Sequence, residues 1–132
     1  MMRLLDTDTC LYFLNRSSEK LIAQFKKFSP AEIKLAAITV AELFYGAEKS
    51  TAKEKNFRNV ERFAASFEII PFDERCCKIY AQIRTSLKKL GTPIGPMDLL
   101  IASICLAKNL ILVTNNTKEF RRIKKLKLEN WL

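Results

Sequence analysis

The sequence predicts an α/β protein, with a mainly parallel sheet and helices on both of its faces. Short, nearly all-apolar runs of strand length recur along the chain, residues 110–113 being the clearest, as they do in strands buried on both sides. Between them lie stretches whose apolar residues return at helical spacing. The alternation of the two is the pattern of strand–helix–strand crossovers. A length of 132 residues suits a single core, so one domain over residues 1–132 is expected.

Residues 1–5 form an apolar strand that stops at Asp6-Thr7-Asp8-Thr9, a cluster of capping residues that opens a helix running through Cys10 to Asn15. Ser17-Ser18 punctuate before Leu21, Ile22, Phe25 and Phe28, an amphipathic stretch that Ser29-Pro30 ends. Residues 33–38 read as the second strand. Thr39, followed three residues later by Glu42, fits a capping box and sets the next helix start there. That helix carries Leu43, Phe44 and Ala47 inward and breaks at Lys49-Ser50-Thr51. Phe57, Val60, Phe63 and Ala64 mark a basic amphipathic helix, and residues 67–72 are the third strand. Asp73 caps a helix in which Ile79, Ile83, Leu87 and Leu90 repeat until Gly91 closes it. Thr92-Pro93-Ile94-Gly95-Pro96 is a stiff loop, with Pro96 as first residue of a helix reaching about Lys108. Residues 110–113 are the fourth strand, halting at Thr114-Asn115-Asn116-Thr117. A basic turn or short helix and a final edge strand around Lys127-Leu128-Glu129 complete the chain.

Composition excludes much chemistry. Without a single histidine, imidazole bases, Ser-His-Asp or Cys-His nucleophiles and His-ligated zinc are absent. Gly46, Gly91 and Gly95 cannot write either glycine-rich nucleotide-binding fingerprint. Cys10, Cys76, Cys77 and Cys105 form no CxxC pair, and Cys10 and Cys105 sit among apolar residues as small core side chains. No charged-then-apolar leader opens the sequence, and no apolar run reaches the roughly 18 residues that span a bilayer. A soluble, cytoplasmic protein is expected. Lys and Arg number 23 against 14 Asp and Glu, a net charge of +9, which makes nucleic acid the first partner to consider.

In open parallel sheets the ligand crevice lies beyond the carboxyl ends of the strands. Asp6 and Thr114-Asn115-Asn116 end strands there. Asp98 opens a helix apolar on nearly every face, where a carboxylate needs a cation, a partner or the positive helix end. Each acid also has a plainer reading. Asp98 fits a first-turn residue favoured by the helix dipole, Asp6 a helix cap, and Glu42 the second half of a capping box. Jointly they can converge on one sheet edge. Two carboxylates about 4 Å apart repel by on the order of 4 kcal/mol at an effective dielectric near 20, so a cluster needs a metal or a proton. Oxygen ligands alone suit Mg²⁺ or Mn²⁺.

Four blocks in order, Leu5-Asp6-Thr7-Asp8-Thr9-Cys10, Thr39-Val40-Ala41-Glu42-Leu43-Phe44-Tyr45-Gly46-Ala47, Gly95-Pro96-Met97-Asp98-Leu99-Leu100-Ile101-Ala102 and Leu112-Val113-Thr114-Asn115-Asn116-Thr117-Lys118-Glu119-Phe120, span essentially the whole chain. Together they resemble the PIN-domain ribonuclease toxins of bacterial VapBC toxin–antitoxin pairs. The resemblance implies a three-layer α/β/α sandwich and a Mg²⁺- or Mn²⁺-dependent endoribonuclease. It implies Asp6 and Asp98 as direct metal ligands, with Glu42 as a third acid acting through water or on a second ion. Many PIN domains carry an aspartate near position 116, where this chain has Asn116. Glu119 is then either the fourth acid or a solvated residue of a basic turn. Thr114, Asn115 and Asn116 match hydrogen-bonding positions around the acids, and Asp8, where related toxins often carry Asn, is expected to hydrogen-bond to the metal-binding acid rather than react. The reaction implied is in-line attack of an activated water on an RNA phosphodiester, with departure of the 3′-oxygen.

Lys118, Arg121, Arg122, Lys124, Lys125 and Lys127 lie beside the expected site, and Lys53, Lys55, Arg58 and Arg62 on a helix face; they read either as phosphate contacts or as solvated surface. Tyr12, Phe13, Phe44 and Tyr45 read as core or as a partner groove. The family resemblance implies a type II toxin with tRNA as the RNA class. It also implies a cognate antitoxin that blocks the acidic pocket, a homodimer, and DNA contact only through the antitoxin. Two alternatives stand beside this reading. One is a catalytically weak PIN-like co-repressor, raised by Asn116; the other is a receiver- or phosphatase-like protein with Asp6 as phospho-acceptor, which no further motif supports.

Overall fold

A computed structural model describes residues 1–132. Arg3 and two buried leucines make β1 (Arg3–Leu5), and Asp6 turns the chain into α1 (Thr7–Leu14). Ser18 caps α2 (Glu19–Phe25), its hydroxyl accepting from Leu21 N at 3.1 Å. A single 3₁₀ turn then leads into β2 (Ile33–Ala36). Next come α3 (Ala37–Glu48), α4 (Lys53–Ala65), β3 (Glu68–Ile70) and α5 (Glu74–Lys89). The chain ends with α6 (Pro96–Lys108), β4 (Ile111–Val113), the short α7 (Thr117–Phe120) and β5 (Leu128–Glu129). Asp73 caps α5 at Cys76 N, at 3.1 Å. At the other end Gly91, with φ of 70°, lets Thr92 N reach Leu87 O at 3.0 Å and Gly91 N reach Lys88 O at 3.1 Å. These are the paired bonds of a Schellman stop, which needs a left-handed residue at that point.

The strands lie in the order β3-β2-β1-β4-β5, and all four pairings are parallel. Side chains alternate across the pleat. Leu4, Ala36, Ile70 and Leu112 therefore face one core, shared with α5, α6 and the buried Phe120. Leu5, Leu35 and Val113 face the other, shared with α1 to α4. The result is the three-layer α/β/α sandwich. Cys10, Cys76 and Cys105 are buried within it as free thiols, and no helix is long and apolar enough to cross a membrane.

Two expectations are corrected. The second strand ends at Ala36, and α3 begins at Ala37 rather than at Thr39. Thr39 is thus the third residue of the helix, fully buried, and forms no capping box with Glu42. A Ser–Glu cap of related form occurs instead at Ser29, whose N–H and hydroxyl both donate to Glu32 Oε1, at 3.0 and 3.1 Å. The four aromatics also divide. Phe13 stacks on Phe25 at 4.1 Å and Phe44 packs on Phe57 at 4.7 Å, whereas Tyr12 and Tyr45 remain exposed.

Candidate active site

The carboxyl ends of the strands gather the polar residues. Asp6 follows β1 directly: its N–H donates to Val113 O at 3.0 Å, prolonging the β1–β4 pairing by one residue. Its carboxylate accepts from Thr9 N at 2.9 Å, so the cap reading is correct as far as it goes. A cap ordinarily stays in solvent; Asp6 is only 4% exposed. Burial pushes its pKa up and outweighs the hydrogen bonds from Thr114 and Thr9 that pull it down, while the nearby Asp8 charge adds to the rise.

Asp98, in the first turn of α6, is half-buried. Its pKa is pushed up to about 6, first by burial, then by the charges of Glu119, Asp6, Asp8 and Glu42. Acids from α3, α7 and the start of α1 therefore all act on the one carboxyl group of α6. Sequence position puts them up to 113 residues apart, Asp6 to Glu119; the parallel topology brings them to one edge.

Glu119 belongs to this group and is not a solvated turn residue. Its carboxylate accepts from Gly95 N and from Asn116 Nδ2, each at 2.9 Å. Those two bonds, that from Asn116 the larger, hold its pKa below the usual range. Gly95 is flanked by both acids: a Cβ placed there would stand 4.0 Å from Asp98 Oδ2 and 4.0 Å from Glu119 Oε1. Glu42, on the second turn of α3, accepts from the Thr7 hydroxyl at 2.6 Å.

The remaining polar residues separate by role. Thr114 is fully buried, accepts from Asn116 N at 3.0 Å and turns its hydroxyl to Asp6. Asn115 is exposed and accepts from Asn130 at 3.2 Å, directed toward the C-terminal tail rather than the acids. Asp8 is exposed and acts on Asp6 through charge; Asp6 draws its hydrogen bonds from Thr9 and Thr114. Thr7, Thr9 and Gly95 were missed in the sequence. Thr7 and Thr9 stood in plain view beside Asp6, but a cluster of Thr and Asp before a helix reads as capping and nothing more. Although the four acids share one edge, no three of them are grouped closely enough to hold an ion among themselves.

Residues 3–126 match the PIN domain family. Ribonuclease VapC2 of Rickettsia felis is 42% identical over 132 residues, covering 99% of this chain and 98% of that protein. The chain is a PIN-domain member of the VapC family. The tRNA(fMet)-specific endonuclease VapC of Salmonella typhimurium is 38% identical, over 97% of this chain and 96% of its own length. Among solved structures, DNA-bound VapBC from Salmonella typhimurium superimposes with a TM-score of 0.93 at 37% identity, covering 100% of both chains. VapBC2 from Rickettsia felis, bound to a DNA fragment from its promoter, gives 0.92 at 39% identity with the same coverage. In this VapC member the acidic edge is built by Asp6, Glu42, Asp98 and Glu119, each supplied by a different element of the sheet's carboxyl side.

Proposed function

We propose that this chain is the toxin of a type II toxin–antitoxin pair, a Mg²⁺- or Mn²⁺-dependent endoribonuclease that hydrolyses tRNA. The observation that carries the reading is the convergence of Glu119, Asp6, Asp8 and Glu42 on Asp98, whose pKa is pushed up to about 6 first by burial and then by those charges. Such a surplus of negative charge favours a cation. Asp6 and Asp98 would hold it through oxygen alone, since a magnesium ion that keeps several waters needs only one or two carboxylates. When bound, it supplies charge neutralisation at the phosphate and a water of lowered pKa.

The protein's own groups complete the chemistry. Glu42 accepts the proton of the attacking water, with no histidine in the chain to compete for that task. Glu119, fixed by Gly95 and Asn116, takes the place that an aspartate at 116 would fill. Asn116 thereby loses its weight as a sign of a weak co-repressor, because it holds an acid in the site. The exposed lysines and arginines around α7 bind the substrate's phosphates. The toxin acts in the cytoplasm as a homodimer and meets DNA only through its antitoxin. A groove between α1, α3 and α4, lined by Leu11, Leu14, Leu43 and Val60 together with Asn15, Asn56 and Asn59, seats that partner. Both VapBC structures named above are toxin–antitoxin complexes with DNA, which supports this assembly.

The test is cleavage of end-labelled total tRNA by antitoxin-free protein with Mg²⁺ or Mn²⁺, beside EDTA and Asp98→Asn controls. Specific cleavage abolished in both controls is expected. A folded, partner-free protein that cuts no tRNA overturns the reading.

A further inference from the structure

Thr7 opens α1 and touches α3. Its Oγ1 lies 2.6 Å from Glu42 Oε1 and 3.2 Å from Thr39 Oγ1. Thr39 is fully buried, and Thr7 Oγ1 is the partner of its hydroxyl. A hydroxyl has one proton to donate but two acceptor lone pairs. The Thr7 proton goes to Glu42, since 2.6 Å falls in the range of a charge-assisted O–H···O⁻ bond. Thr39, which must donate somewhere, then donates to the Thr7 oxygen. The three residues form a directed chain from the buried interior, through Thr7, to a carboxylate of the acidic edge.

Glu42 has three free torsions and no cation bridging it. Nothing else in the structure hydrogen-bonds its carboxylate. We infer that Thr7 is a positioning residue, fixing the Glu42 carboxylate in the orientation that cleavage requires, with Thr39 anchoring the Thr7 oxygen from behind. The inference rests on the nuclease reading of Glu42 given above. It makes the residue after Asp6 a working part of the site: one helix start holds two acids, Asp6 by sequence and Glu42 by hydrogen bond. Serine preserves the donor, while valine preserves the shape and removes it.

The experiment measures single-turnover tRNA cleavage, rate and KM separately, for wild type, Thr7→Ser, Thr7→Val, Glu42→Ala and the Thr7→Val/Glu42→Ala pair. Crystal structures of Thr7→Val and wild type give a readout independent of activity. Thr7→Val is expected to slow the chemical step about 10-fold at unchanged KM, with Thr7→Ser within about 2-fold of wild type. It is expected to add no further loss on top of Glu42→Ala, and to release Glu42 from its position in the crystal. Since valine leaves the buried Thr39 hydroxyl without an acceptor, Thr7→Val/Thr39→Val repeats the test without that orphan; it is expected to be as slow as Thr7→Val. Wild-type rate in the folded valine variants, with Glu42→Ala slow, overturns the role of Thr7 alone. The same holds if Thr7→Val costs as much on the Glu42→Ala background as on wild type. Full activity of Glu42→Ala, or an inert wild type, instead overturns the reading of the site on which the inference stands.

Discussion

Asn116 donates from Nδ2 to Glu119 Oε2 at 2.9 Å, across three residues of one turn. An amide at 116 can do this; a carboxylate there would repel Glu119. The neutral side chain at 116 and the acid at 119 thus work as one unit, with Gly95 N completing the grip on the other oxygen. Asn116→Ala should leave the fold in place while freeing Glu119. Cleavage of tRNA is expected to drop about 10-fold, as for loss of a group that orients an acid of the site. Asn116→Asp should do no better, because two adjacent carboxylates cannot both stay ionised beside Asp98. An Asn116→Asp variant faster than wild type would show that Glu119 is a poor substitute for an acid at 116.

Asp98 gives the metal-free protein a characteristic pH response. Its pKa is about 6 folded against 3.8 for the free side chain. Between those values the folded state holds a proton that the unfolded chain has released. Stability from this group is therefore full below pH 3.8 and falls as pH rises through about 6. In EDTA, Asp98→Asn should stabilise the protein at pH 7.5 by on the order of 1 kcal/mol, after allowing for solvent screening of a half-exposed group, and by less at pH 5. Urea midpoints at the two pH values measure this. Magnesium should raise the wild-type midpoint at pH 7.5 and leave the Asn variant nearly unmoved. Loss of stability in the Asn variant at pH 7.5 would contradict the acidic cluster.

The last residues are structural. Trp131 is buried, stacks on Phe28 at 5.1 Å, meets Phe25 edge-on at 6.4 Å and donates to Glu129 at 3.1 Å. Glu129 in turn takes both arms of Arg3, at 2.8 and 2.9 Å, and Arg3 lies 4.3 Å over the Phe28 ring. The clasp ties β1 to the edge strand β5 across β4. Trp131→Ala should cost about 3–5 kcal/mol and lower the melting temperature by on the order of 10 °C. A change of under a degree or two would mean that the tail is not docked in solution.

The fold was legible because its periodicities are clean. Leu4 and Leu5 point to opposite cores, and Gly91 marks a helix end that only a left-handed residue can make. Asp6 and Asp98 were legible as charged groups where apolar elements meet the sheet edge. What misled was local pattern without burial. Thr39-x-x-Glu42 has the form of a capping box, yet α3 starts two residues earlier, so Thr39 already lies inside the helix and is buried there. Glu119 could not be placed from sequence, since its direction depends on an amide 24 residues away in Gly95. The role of Thr7 depends on Glu42, 35 residues distant. Bonds of that span leave no trace in spacing.

Substrate binding should follow the distribution of basic side chains. Lys118, Arg121, Lys124 and Lys125 are exposed on and just after α7, the element that carries Glu119. Lys55 and Arg58 are exposed on α4, in the other helical layer. RNA running over the acidic edge meets the first group before the second. Each phosphate neutralised contributes about 0.7–0.9 to the slope of log affinity against log salt. With Asp98→Asn to prevent cleavage, tRNA affinity measured from low to physiological KCl should fall steeply. Lys124→Ala/Lys125→Ala should weaken binding and flatten that slope by about 1 to 2, whereas Lys55→Ala/Arg58→Ala should leave it nearly unchanged. Equal effects of the two pairs would place the RNA across both layers, and a slope near zero in the parent would remove phosphate contacts from the account of this site.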